Sequence, residues 1–69
     1  MLIGKQAVER VIVALNELPA RSRQAFLLHR FEEMTAPAIA ARMGISVKGV
    51  EALLTRAMKR IAVGVKGRL

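Results

Sequence analysis

The chain contains no cysteine, which excludes disulfide bonds and thiolate zinc sites and fits a reducing compartment. Its single histidine, His29, has no histidine or cysteine partner with which to hold a metal. No cofactor or metal is expected. His29 falls within an apolar arc and is expected to pack between helices, with one ring nitrogen bonded to backbone or solvent. There is no glycine-rich phosphate loop and no nucleophile beside a base. The one adjacent carboxylate pair, Glu32-Glu33, reads as a solvated helix end, and an enzyme is not expected. No apolar run approaches the roughly 20 residues of a membrane span. The opening Met1-Leu2-Ile3-Gly4-Lys5 lacks the apolar stretch of a signal peptide. A soluble cytoplasmic domain without membrane insertion is the expectation.

Acidic residues are scarce, and unevenly so. Of the five acids, four (Glu9, Glu17, Glu32 and Glu33) lie in residues 1–34, beside five bases, for a net charge of +1. Residues 35–69 hold only Glu51 against Arg42, Lys48, Arg56, Lys59, Arg60, Lys66 and Arg68, for a net of +6. A surface kept charged only for solubility usually mixes the signs, so the asymmetry points to a polyanion partner for the second half. A disordered basic tail would be poor in apolar residues. Here 54% of residues are hydrophobic and the chain carries +7 overall. With 69 residues this is one small domain, whose marginal core calls for compact helix packing or a partner.

Strand-like alternation and internal repeats are both absent, and the apolar spacing is helical throughout. The reading is an all-α, four-helix domain. Helix 1 is expected over residues 5–16, with Val8, Val11, Ile12 and Leu15 on one stripe. Leu18-Pro19 breaks it. Helix 2 is expected over 19–31, where Ala25, Phe26, Leu27, Leu28 and Phe31 form so wide an apolar arc that it reads as the central helix. Helix 3 is expected over 36–43, with Thr35 as N-cap, Pro37 in the first turn and Gly44 at its end. Helix 4 is expected over 47–62, with Ser46 as N-cap, followed by a fraying basic terminus marked by Gly64 and Gly67. It hides Val47, Val50, Leu54, Ala57 and Ile61 on one face, flanked by Leu53 and Met58, and shows a polar, cationic face opposite.

Two helices joined by a tight glycine turn form the helix-turn-helix signature. Small Ala40 sits where the helices would approach closely, Gly44 at the turn, and Val50 on the second helix, while Ile39, Met43, Ile45 and Leu53 hold the pair together. The major groove of DNA accepts one such helix, whose N-terminal half reaches base edges. Lys48, Glu51, Ala52, Thr55 and Arg56 have the direction for base contact. Arg56 suits a guanine, Glu51 suits cytosine N4 or a bracing role, and Thr55 and Ala52 suit a thymine methyl. Arg42, Lys59 and Arg60 are assigned to phosphate, together with Thr35 and the amides at the capped start of helix 3.

Several of these segments carry a family resemblance. They are Leu15-Asn16-Glu17-Leu18-Pro19-Ala20-Arg21, Ala25-Phe26-Leu27-Leu28, Ile39-Ala40-Ala41-Arg42-Met43-Gly44-Ile45-Ser46 and Val50-Glu51. The run from Leu15 to Ile61 resembles region 4 of the extracytoplasmic-function sigma factors, most of all the subgroup associated with iron and siderophore uptake. That resemblance implies binding of double-stranded promoter DNA at the −35 element through helix 4. It also implies docking on the β-subunit flap of RNA polymerase, and control by an anti-sigma or transmembrane regulator. Region 2, which a complete sigma factor needs, is absent, so the chain looks like an excised domain or a standalone relative.

The chain departs from the family pattern at three places. Glu33-Met34-Thr35 stands where the family has Gly-Leu-Ser. If residue 33 adopts a left-handed conformation, Glu costs about 1 kcal/mol more than Gly. Ala38 stands where an acidic residue commonly closes a capping box. Glu51 is acidic where many relatives are basic, though the iron-uptake subgroup often has Glu. Two rivals remain beside the sigma reading. One is the DNA-binding domain of a quorum-sensing-type response regulator. The other is a protein-interaction module using an apolar patch built from Leu2, Ile3, Val63, Val65 and Leu69.

Overall fold

The computed structural model describes residues 4–66. It contains four helices, and no strand occurs among the described residues: α1 (Lys5–Glu17), α2 (Ala20–Arg30), α3 (Ala36–Met43) and α4 (Val47–Lys66). Pro19 lies one position ahead of α2, with extended backbone, and its carbonyl accepts the Arg23 amide at 3.0 Å. Its ring therefore sets the entry to the helix without occupying it. At the far end α4 runs through Gly64 to Lys66, beyond the expected stop at Ala62. One glycine costs a helix about 1 kcal/mol relative to alanine, too little by itself to end it. Gly67, Leu2, Ile3 and Leu69 lie outside the described residues.

The helix ends follow local chemistry. Thr35 Oγ1 accepts the Ala38 amide at 3.3 Å, and Ser46 Oγ accepts the Gly49 amide at 3.0 Å, so both expected N-caps are formed. Gly44 has φ +69°, and its N–H and that of Ile45 both turn back to the Ala40 carbonyl. This left-handed closure is the one a glycine permits at least cost. Glu33 is also left-handed, with φ +54°, in the turn that the Met34 amide closes onto the Leu28 carbonyl at 3.1 Å.

The core divides into two clusters along α4. Val50 meets Ala25, Ile39 and Ala40, with Leu28, Met34, Met43, Ile45, Leu53 and Leu54 around them. Two turns later Ala57 meets Leu18 and Phe26, with Leu15 and Ile61 alongside. Full burial of an aliphatic such as Ile39 or Val50 contributes about 1.5–3 kcal/mol. The central element is α4, which packs against all three other helices, whereas α2 packs chiefly on α4 and α3.

This arrangement corrects the expected apolar faces. On α1 the covered stripe is Val11, Ala14, Leu15 and Leu18, while Val8 and Ile12 stand exposed. Both stripes obey the same helical spacing, and only the direction of α4 chooses between them. On α2, Leu27 and Phe31 lie outside the core, Phe31 at 72% exposure. Val47 and Met58 on α4 are likewise exposed. His29 is exposed as well, so the expected packing role fails, but its Nδ1 bonds the Met34 carbonyl at 3.2 Å.

Candidate nucleic-acid interface

The helix pair α3–α4 is built as its spacing requires. Ala40 is 5% exposed and Val50 fully buried, both in the cluster that joins α3 to α4 and α2. Gly44 makes the turn between them. Gly49 adds a feature that sequence spacing did not flag. A methyl group there would sit 3.2 Å from Ser46 Oγ and 3.6 Å from Ile45 Cδ1. The missing side chain leaves room for the capping hydroxyl beneath the first turn of α4.

The outer face of α4 follows from its inner one. With Val50 and Ala57 buried and Leu53, Leu54 and Ile61 partly covered, Lys48, Glu51, Ala52, Thr55, Arg56, Lys59 and Arg60 all emerge exposed. At 3.6 residues per turn, Lys48, Ala52, Thr55 and Lys59 fall within roughly 60° of one another. Glu51 flanks this strip on one side and Arg56 on the other, with Arg60 about 40° further round. The structure thus brings all five proposed base-contact residues onto one solvent-facing surface that starts at the capped end of the helix.

The residues assigned to phosphate are more scattered. Arg42 is exposed on α3 and Lys59 on α4. Thr35 is exposed, but its oxygen already accepts the Ala38 amide, which leaves the hydroxyl hydrogen as its donor. Of the first-turn amides of α3, Pro37 has none, and that of Ala38 is taken by Thr35. An anion at that helix start is left with the amide of Ala36, far less than the expected group of donors. Arg60 is not a free cation, because its Nη2 lies 2.8 Å from Glu17 Oε1 at the end of α1.

One further residue lay outside the sequence reading. Arg21 on α2 donates from Nη2 to the Met43 carbonyl at 3.5 Å, placing a cation at the carboxyl end of α3, where the helix dipole favours it. A spacing argument along one helix does not reveal a contact between residues 21 and 43. No group of three or more potential metal ligands occurs among the described residues. No helix there is long and apolar enough to cross a membrane.

This geometry coincides with a family match. The profile of sigma-70, region 4, matches residues 8–61. The chain belongs to the sigma-70 region 4 family. It is therefore a helix-turn-helix DNA-binding domain of the kind used in transcription initiation, and that family is not one of enzymes. The match runs from the first turns of α1 to Ile61 of α4, so all four helices form part of the family unit. It also displaces the response-regulator reading, whose four-helix plan is alike but whose family is different. Comparison with curated proteins and with solved structures gave no match.

Proposed function

We propose that this region 4 domain binds the −35 element of promoters, with α4 in the major groove, as the part of a sigma factor that directs RNA polymerase to transcription start sites. The observation that carries the reading is the outer face of α4, cationic, exposed and continuous from Lys48 to Lys59 behind a capped N-terminus. The major groove, about 12 Å wide, admits such a helix, and its N-terminal residues then face base edges. In this reading Lys48, Glu51, Ala52, Thr55 and Arg56 contact bases, while Arg42, Thr35 and Lys59 contact phosphate. The finer assignment rests on resemblance: Val50-Glu51 and the Leu18-Pro19-Ala20-Arg21 opening are those of the extracytoplasmic-function type, in its iron-uptake subgroup. Such a domain works in the cytoplasm, under an anti-sigma or transmembrane regulator.

A second face serves the same reading. Leu27, Leu28 and Phe31, with Ala20, Arg23, Gln24 and Glu32, line an open groove of about 570 Å³ on α2. A phenylalanine ring at 72% exposure is unusual in so small a core unless something covers it. The β-subunit flap of RNA polymerase is the partner assigned to this groove. This groove is separate from the terminal apolar patch of the protein-interaction reading, of which Leu2, Ile3 and Leu69 lie outside the described residues and Val63 is exposed.

The test is selection of bound duplexes from a random pool, followed by titration of variants. Arg56→Ala is expected to cost about 1–3 kcal/mol on the selected duplex and to relax one base position. Lys59→Ala should weaken all duplexes alike and make the salt slope shallower by about 0.9. Equal loss on every sequence for Arg56→Ala would reassign that residue to phosphate. Binding that ignores salt would overturn the reading altogether.

A further inference from the structure

The Glu17–Arg60 pair is the single salt bridge among the described residues, and it joins α1 to the edge of the α4 face that the proposed function turns toward DNA. Glu17 closes α1. A carboxylate in a last helical turn faces the negative end of the helix dipole, which disfavours it locally. What it meets instead is Arg60, with Nη2 and Oε1 2.8 Å apart and the two side chains 54% and 51% exposed. Arg60 lies one turn beyond Arg56 on α4 and next to Lys59 in sequence, exposed at the margin of the cationic strip.

We propose that Glu17 limits the affinity of this domain for DNA by holding Arg60 back from the phosphate backbone. The inference rests on the DNA-binding reading of α4. A guanidinium engaged by a neighbouring carboxylate has a donor occupied and its charge compensated. It therefore releases little counterion when a duplex approaches. The pair is held at the surface, where solvent screens it. A phosphate can reach the remaining donors of the guanidinium, but only by displacing the carboxylate or by bringing a second negative charge close to it. Glu17 thus opposes the electrostatic part of binding, which is common to all sequences, while leaving base readout by Lys48, Thr55 and Arg56 alone. Residues 1–34 and 35–69 communicate here through charge as well as through packing.

The experiment compares the 69-residue chain with Glu17→Gln, Glu17→Ala, Arg60→Ala and the double variant Glu17→Gln with Arg60→Ala. Each is titrated against a random-sequence duplex and against the selected one, with helix content checked by circular dichroism. Both Glu17 variants are expected to bind both duplexes several-fold more tightly, with a salt slope steeper by about 0.9, the value of one added phosphate contact. That advantage should shrink roughly 3.5-fold between about 50 mM and about 200 mM salt. Arg60→Ala alone should change little, and in the double variant it should cancel the gain. A merely structural pair would move thermal stability without steepening the slope.

Unchanged or weaker binding by both Glu17 variants, while Lys59→Ala still lowers affinity, would overturn the proposal and leave the DNA-binding reading standing. Weaker binding in particular would mean that Glu17 presents Arg60 to phosphate. Loss of any dependence on Lys59 and Arg56 would remove the DNA-binding reading itself.

Discussion

Replacing Glu33 with glycine should make this domain more stable, although it removes a side chain and adds backbone freedom. Glu33 has φ +54° in the turn between α2 and α3, where its side chain is exposed. In the left-handed region a Cβ crowds the following carbonyl oxygen, at about 1–2 kcal/mol for a residue other than glycine. Glycine avoids that strain but loses about 0.5–1 kcal/mol more conformational entropy on folding. The difference leaves a net gain of about 0.5–1 kcal/mol. For a domain of this size the midpoint should rise by roughly 2–8 °C. The measurement is thermal and urea unfolding of the wild type, Glu33→Gly and Glu33→Ala. The alanine variant removes the same charge but keeps Cβ, so it should show none of the glycine gain. Stabilisation by alanine equal to that by glycine would refute the backbone argument and assign the effect to charge. No gain in either would mean that the turn relaxes without strain.

Three further outcomes follow from particular contacts. Ala38→Glu should complete a capping box with Thr35, whose oxygen already accepts the residue 38 amide, and add about 0.5–1 kcal/mol of stability. It should weaken duplex binding in low salt by placing a carboxylate at the start of α3, and unchanged binding would remove Thr35 from the phosphate contacts. Ser22 is 1% exposed, and its Oγ has no hydrogen-bond partner. Ser22→Ala should therefore raise stability by about 1 kcal/mol, read from urea unfolding. Destabilisation would show that the hydroxyl is satisfied. Phe31→Ser should leave thermal stability and duplex affinity nearly unchanged while weakening capture of RNA polymerase core enzyme. An intact interaction with core would take the α2 groove out of the docking surface.

The four helices and their order were readable from residues close together in the chain. Thr35, Gly44 and Ser46 act on amides and carbonyls within five positions of themselves, so their roles as caps and turn needed no knowledge of distant parts. The cationic side of α4 was legible for the same reason, since helical period alone puts Lys48, Thr55 and Lys59 opposite Val50 and Ala57. The family pattern likewise pointed to residue 33 as a position where a left-handed backbone would make glutamate costly, and the structure has it there.

Which apolar residues the fold covers was a different kind of question. On α1 the sets Val8, Val11, Ile12, Leu15 and Val11, Ala14, Leu15, Leu18 are equally helical, and only contact with α4 selects the second. The packing of α2 leaves Phe31 in solvent, and α4, rather than α2, is the helix that meets all three others. The meeting of α1 with α4 brings Glu17 to Arg60, 43 positions away, and that of α2 with α3 brings Arg21 to the Met43 carbonyl, 22 positions away. Local sequence determined the secondary structure, the caps and the charged face, because those depend on hydrogen bonds and periodicities within a few residues. The tertiary structure alone decided the covered faces and the compensation of Arg60, because both depend on the directions in which separate helices meet.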